Sequence, residues 1–157
     1  MRKIVLSCLS HAAAIAIGFA AGIYALPILI APVGPANTDV ASLQKQARFK
    51  GEFRRSIKGS DFFHWGEGTV TLDNKAITLM GKIAPGPDYK LYLVPEFVDS
   101  KEAFLRAKTS ALRVGDVKTF DNFIVPLGEG VDLAKYTTVL VWCETFSMFI
   151  TAASYRE

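Results

Sequence analysis

The chain has 157 residues, half of them hydrophobic and 21% charged, with 18 Lys and Arg against 15 Asp and Glu. That is room for one domain, or one domain and an anchor, and it excludes a multidomain enzyme or a large barrel. The apolar content excludes a disordered chain. With Arg2 and Lys3 set aside, 16 basic and 15 acidic residues remain, a balance of +1. So neutral a domain offers no basic face, and no nucleic-acid partner is expected.

The first element is a membrane helix. Residues Ile4 to Ile30 contain no Asp, Glu, Lys or Arg over 27 positions. A bilayer core needs about 20 apolar residues. A cleaved signal peptide is the alternative, with an apolar part of about 7–15 residues and a site such as Ala14-Ile15-Ala16. Cleavage there would leave the apolar Ile17–Ile30 on the mature chain. Gly18 and Gly22 form a small-xxx-small pair, a pattern that lets two helices pack but is also common in single spans. Pro27, Pro32 and Pro35 are expected to end the helix. The basic start favours the cytoplasmic side, which predicts a single-pass protein of the bacterial inner membrane with its domain in the periplasm. The bilayer is then one partner, and a redox or protein partner is the other. Cys8 and His11 lie near the cytoplasmic end, and too few apolar residues precede Cys8 for a lipidation signal.

The expected organisation is an anchor at 1–32, a polar linker at 33–47 and a β domain at 48–157. From Phe49 onward short alternating runs read as strands: Phe49–Arg55, Thr69–Leu72, Ala76–Ile83, Lys90–Val94, Phe123–Val125, Thr138–Cys143 and Phe146–Thr151. Asp73-Asn74-Lys75 suits a hairpin turn, and Pro85-Gly86-Pro87-Asp88 a tight loop. Asp99–Lys108 alone looks helical, with Asp99 and Glu102 spaced as a capping box. Leu133–Tyr136 suits one helical turn. About eight short strands favour an all-β fold, a single β-sandwich or Greek-key, jelly-roll-like domain with one short helix.

The domain holds one cysteine, Cys143, and one histidine, His64. A four-ligand zinc site and a two-histidine copper site are therefore excluded. Covalent haem attachment, Walker, nucleophile-elbow and zincin motifs are absent. On a strand, Cys143 shares a face with Val139 and Val141, opposite Leu140 and Trp142. Most free cysteines are small buried hydrophobes, yet outside the cytoplasm a lone thiol is exposed to oxidation. His64, between Phe63 and Trp65, is either a loop hydrogen-bonding group or a ligand or proton carrier. Met80 and Met148 are core fillers or soft ligands. Asp88 suits a turn acceptor, and Arg54-Arg55 a solvated pair near lipid headgroups.

The segments "HWGEGTV", "KIAPGPDYKLYL", "VGDVKTFDNFIVPLGEGVDLAKY" and "TVLVWCETFSMFI" resemble the DM-thirteen domain, the proposed electron-transfer domain of the Skeletor type. The resemblance runs from about Lys50 to Tyr155. It rests on His64 four residues before Gly68, on Gly86-Pro87-Asp88 ahead of a strand, on Val125-Pro126, and on Trp142-Cys143 followed by Phe146. One departure is Phe149-Ile150, where the family often has Phe-Gly. The resemblance implies a β-rich extracytoplasmic module whose cysteine does redox work, as a bare thiol or by holding a group such as haem. Cys143 is then the redox or ligand candidate and His64 its partner, with Trp142, Gly68 and Asp88 as accompanying positions. Two other functions stay open on residue types: a non-catalytic envelope module binding a protein or small ligand, and a hydrolase using Cys143 and His64.

Overall fold

The computed structural model describes residues 1–156. It opens with α1, Arg2–Ile30, a helix of 29 residues that is long and apolar enough to cross a membrane. Pro27 does not end it, as the sequence suggests, but lies inside it. Proline is tolerated in apolar helices where neighbouring groups satisfy the freed carbonyl. The helix stops at Ala31, which takes extended angles as the residue before Pro32 must.

The expected linker is partly folded. Asn37–Gln44 forms α2, whose Val40 is fully buried. Asn37 Oδ1 accepts a hydrogen bond from Asn122 Nδ2 at 2.7 Å, and Gln44 Nε2 donates to the Thr69 carbonyl at 3.2 Å. Polar composition hid α2 because one apolar residue carries its burial.

Eight strands follow: β1 (Phe49–Phe53), β2 (Gly66–Leu72), β3 (Ala76–Ile83), β4 (Tyr89–Val94), β5 (Leu112–Val117), β6 (Asp121–Pro126), β7 (Thr138–Cys143) and β8 (Met148–Ser154). They make two antiparallel four-stranded sheets, β1-β2-β3-β6 and β5-β4-β7-β8. The fold is the expected sandwich, and β5 is the strand that the sequence pattern concealed. Its Leu112-Arg113-Val114-Gly115-Asp116 run is half-exposed, as an edge strand's is.

Strand β7 decides the layering. Val139, Val141 and Cys143 enter the core between the sheets with Leu79, Leu91 and Ile150. Leu140 and Trp142 point the other way, into a second cluster with Phe104 of α3, Lys101–Ala107. A strand buried on both faces reads as one apolar run rather than as an alternation. Helix α3 is capped by Ser100, whose side chain accepts from the Ala103 amide, and not by the expected Asp99. The turn after β2 is as expected, with Asp73 Oδ1 accepting from the amides of Lys75 and Ala76. A 3₁₀ turn at Leu133–Lys135 precedes β7.

Candidate functional site: a small cavity around Cys143

Cys143 ends β7, and the antiparallel register fixes its neighbours. Tyr89 is its cross-strand partner on β4 and Met148 its partner on β8. One step on, the β7–β8 ladder shifts register, so that Val141 faces Thr151 and Trp142 faces Phe149. Ile150 is the extra residue of this bulge, and its buried side chain joins the inter-sheet core. This is the position where the resemblance noted glycine, so the isoleucine fills space that a glycine would leave.

Cys143, Tyr89, Met148 and Ile150 line a cavity of about 110 Å³ together with His64, Phe63 and Phe146. The Pro85-Gly86-Pro87 loop and Ile23 and Tyr24 of α1 also line it. The loop packs this closely because Gly86 has no Cβ, which would overlap the Tyr89 hydroxyl. Thus the structure brings His64 and Cys143, 79 positions apart, to one cavity. No hydrogen bond joins the two side chains among the described residues.

His64 is held from behind. Asp61 Oδ1 accepts the backbone amides of Phe63 at 2.7 Å and His64 at 2.8 Å, and its carboxylate lies 2.9 Å from His64 Nδ1. The Asp61 amide donates in return to the His64 carbonyl at 2.8 Å. Partial burial would raise the Asp61 pKa, but the hydrogen bonds from His64 and Phe63 prevail and hold it below its ordinary value. Ionised, the carboxylate only accepts, so Nδ1 carries the proton and a neutral ring keeps its lone pair on Nε2. Asp61 went unnoticed in the sequence, although an Asp three residues before a His in a glycine-flanked loop is a local signal for such a turn.

The thiol is 2% exposed, and no disulfide involves it. Burial pushes its pKa above the ordinary value, and the backbone N–H groups of Phe146, Asp88 and Thr145 oppose this in part. Activated cysteine nucleophiles have the opposite shift, so the thiolate that a hydrolase needs is scarce here. Tyr89 is also raised, by burial first and then by the neighbouring Cys143.

The other predicted positions separate. Trp142 is buried on the opposite face of β7, with its ring 4.8 Å from Phe104, so it is a packing residue outside the cavity. Gly68 lies in the other sheet at φ +124°, where a Cβ would overlap the Met80 carbonyl, so its place is set by backbone geometry. Asp88 acts on the cavity indirectly. Its carbonyl accepts the Glu144 amide at 3.0 Å and its Oδ2 accepts from Thr145 Oγ1 at 3.1 Å, which fixes the turn after Cys143. Lys90, 2.7 Å away, holds the Asp88 carboxyl below its ordinary pKa. Met148 turns its sulfur to Lys101 Nζ at 3.7 Å. Arg55 is not free for headgroups, being paired with Glu67 at 2.7 Å and stacked 3.3 Å over Trp65.

Haem does not fit this cavity. Small-molecule pockets run to about 300–1,000 Å³, against about 110 Å³ here. Among the described residues no three His, Cys, Asp or Glu side chains converge as a metal site.

Comparison with known families identifies residues 52–155 as the domain described as "Electron transfer DM13". The chain belongs to this family. The match covers every strand except the first residues of β1, and the cavity's residues Phe63 to Ile150 lie within it. No curated protein and no solved structure matches the chain. The family suggests an electron-transfer role for the DM13 domain described here.

Proposed function

We propose that this DM13 protein is a membrane-anchored electron-transfer module whose redox-active group is the bare thiol of Cys143. It faces the outer side of a bacterial inner membrane. The observation that carries the reading is the convergence of Cys143 and the Asp61-held His64 on one small apolar cavity. A thiol whose pKa is raised by burial does not give up its proton beforehand. Proton and electron must therefore leave together and leave a Cys143 thiyl radical, the electron going to a strongly oxidising one-electron acceptor on the partner and the proton to a group in the cavity. His64 is the ring there with a basic nitrogen to receive it. Burial limits the access of water and oxidants to the sulfur, which protects it from over-oxidation.

The test is an oxidative titration of the full-length chain in detergent with hexachloroiridate(IV), a one-electron oxidant much stronger than ferricyanide, followed by peptide mass analysis. Oxidising equivalents consumed at Cys143, and absent from Cys143→Ser, support the reading. A chain that consumes none, or the same number without Cys143, overturns it.

A second reading, a non-catalytic envelope module binding a protein or small ligand, is favoured by one observation, the near-complete burial of the thiol. Under it, a folded Cys143→Ser protein keeps its cellular role.

A further inference from the structure

The cavity's rim is aromatic and uncovered. Phe62 is 85% and Phe63 58% exposed, and Tyr24 and Phe146 are about half exposed. Phe63 meets Tyr24 of α1 edge-on at a ring distance of 6.4 Å, and Phe62 meets Phe63 at 5.0 Å. Together these rings form one apolar patch that includes a residue of the membrane-length helix.

The helix supplies a depth scale. Ile4 to Ile23 are twenty residues, which at 1.5 Å each span about 30 Å, the thickness of the hydrocarbon core. Tyr24 then stands where hydrocarbon ends, the level at which aromatic belts lie. Phe63 touches Tyr24, so it stands at that level too. Six residues further along α1, Ile30 lies about 9 Å higher, among headgroups. There Lys118 lines a cleft with Pro27, Ile30, Lys90, Asp88 and Asp116; the last three are paired with one another, and Lys118 has no ion-pair partner among the described residues. Apolar rings at the hydrocarbon boundary and a free cation above them match the order of the bilayer's own layers.

We propose that Tyr24, Phe62 and Phe63 seat the domain in the lipid interface, so that the mouth of the Cys143 cavity opens at the bilayer surface. This rests on α1 spanning the membrane and is the same on either side, since the domain follows the helix's outer end. A site opening there meets lipid-dissolved molecules before those in bulk water.

The experiment is power-saturation EPR on the full chain in phosphatidylcholine vesicles, in a Cys8→Ser background with the buried Cys143 retained. Nitroxides are placed singly through Ile15→Cys, Phe62→Cys and Lys135→Cys. Ile15 reports the span, and Lys135, in the 3₁₀ turn at the far end of β7, reports the aqueous side. The expected result is an oxygen-to-nickel accessibility ratio at position 62 several-fold above that at position 135 and below that at position 15. A ratio at 62 equal to that at 135, with 15 still lipid-buried, overturns the seat while leaving the anchor intact. Position 15 in water overturns the anchor and the seat with it. A label at 62 shielded from both reagents shows a second protein copy on the patch, and overturns the seat as well.

Discussion

Replacing Asp61 tests whether His64 is truly held in place. Asp61 makes three contacts through its carboxylate: two backbone amides and the imidazole. Its side chain is 53% exposed, so water replaces much of what is lost. Two amide bonds at the low end of ~0.5–1.5 kcal/mol each sum to about 1 kcal/mol. The exposed pair with His64 adds ~0.2–1 kcal/mol. Asp61→Ala should therefore lose about 1–2 kcal/mol, a fall in Tm of roughly 5–10 °C for a domain near 100 residues. Asp61→Asn keeps an oxygen for the amides and should lose less than half of this. The sign of the pH dependence follows from the pKa shift. Asp61 is depressed in the folded chain, so its contribution is present above the unfolded value of about 3.9 and is lost as pH falls through the folded one. The difference between wild type and Asp61→Asn should shrink as pH falls below about 4 and vanish in acid. Thermal melts of the two single variants, His64→Ala and the Asp61→Ala/His64→Ala pair close a double-mutant cycle. A coupling energy indistinguishable from zero would refute the clasp on the imidazole.

Three further outcomes follow from the same geometry. Cys143→Ser, which places a hydroxyl in the inter-sheet core, should lose about 1–3 kcal/mol in a denaturant titration; a neutral change would show that the turn amides satisfy the oxygen. Native Cys143 should react with a small alkylating reagent at pH 7 more slowly than in the unfolded chain, since burial both blocks access and, by raising the pKa, lowers the thiolate fraction. Equal rates, read by mass spectrometry in Cys8→Ser, would contradict the burial described. Gly68→Ala should lower Tm by the equivalent of about 1–3 kcal/mol through strain at φ +124°, while leaving the alkylation rate of Cys143 unchanged, because Gly68 lies outside the cavity.

Period-two patterning makes most of the sandwich legible, and the parity of Val139, Val141 and Cys143 against Leu140 and Trp142 follows from the sequence alone. Strand β5 escaped because its edge position leaves charged Arg113 and Asp116 along it. Helix α2 escaped because a single buried valine gives no periodic stripe. Of the site, Cys143 and His64 were legible as isolated residue types in a chain poor in both. Their meeting was not, since it depends on how the β1–β2 loop folds over the end of β7. Tyr89 and Met148 are neighbours of Cys143 only through strand register, which spacing along the chain does not encode. Trp142, adjacent to Cys143 in sequence, is on the far side of the sheet for the same reason that Val141 is not.

The most direct test of the account is protein-film voltammetry of the full-length chain beside Cys143→Ser. The account requires a redox wave in the wild type that Cys143→Ser lacks, and that shifts with pH because proton and electron leave together. A wave of equal size in the variant, or a silent wild-type film, contradicts it.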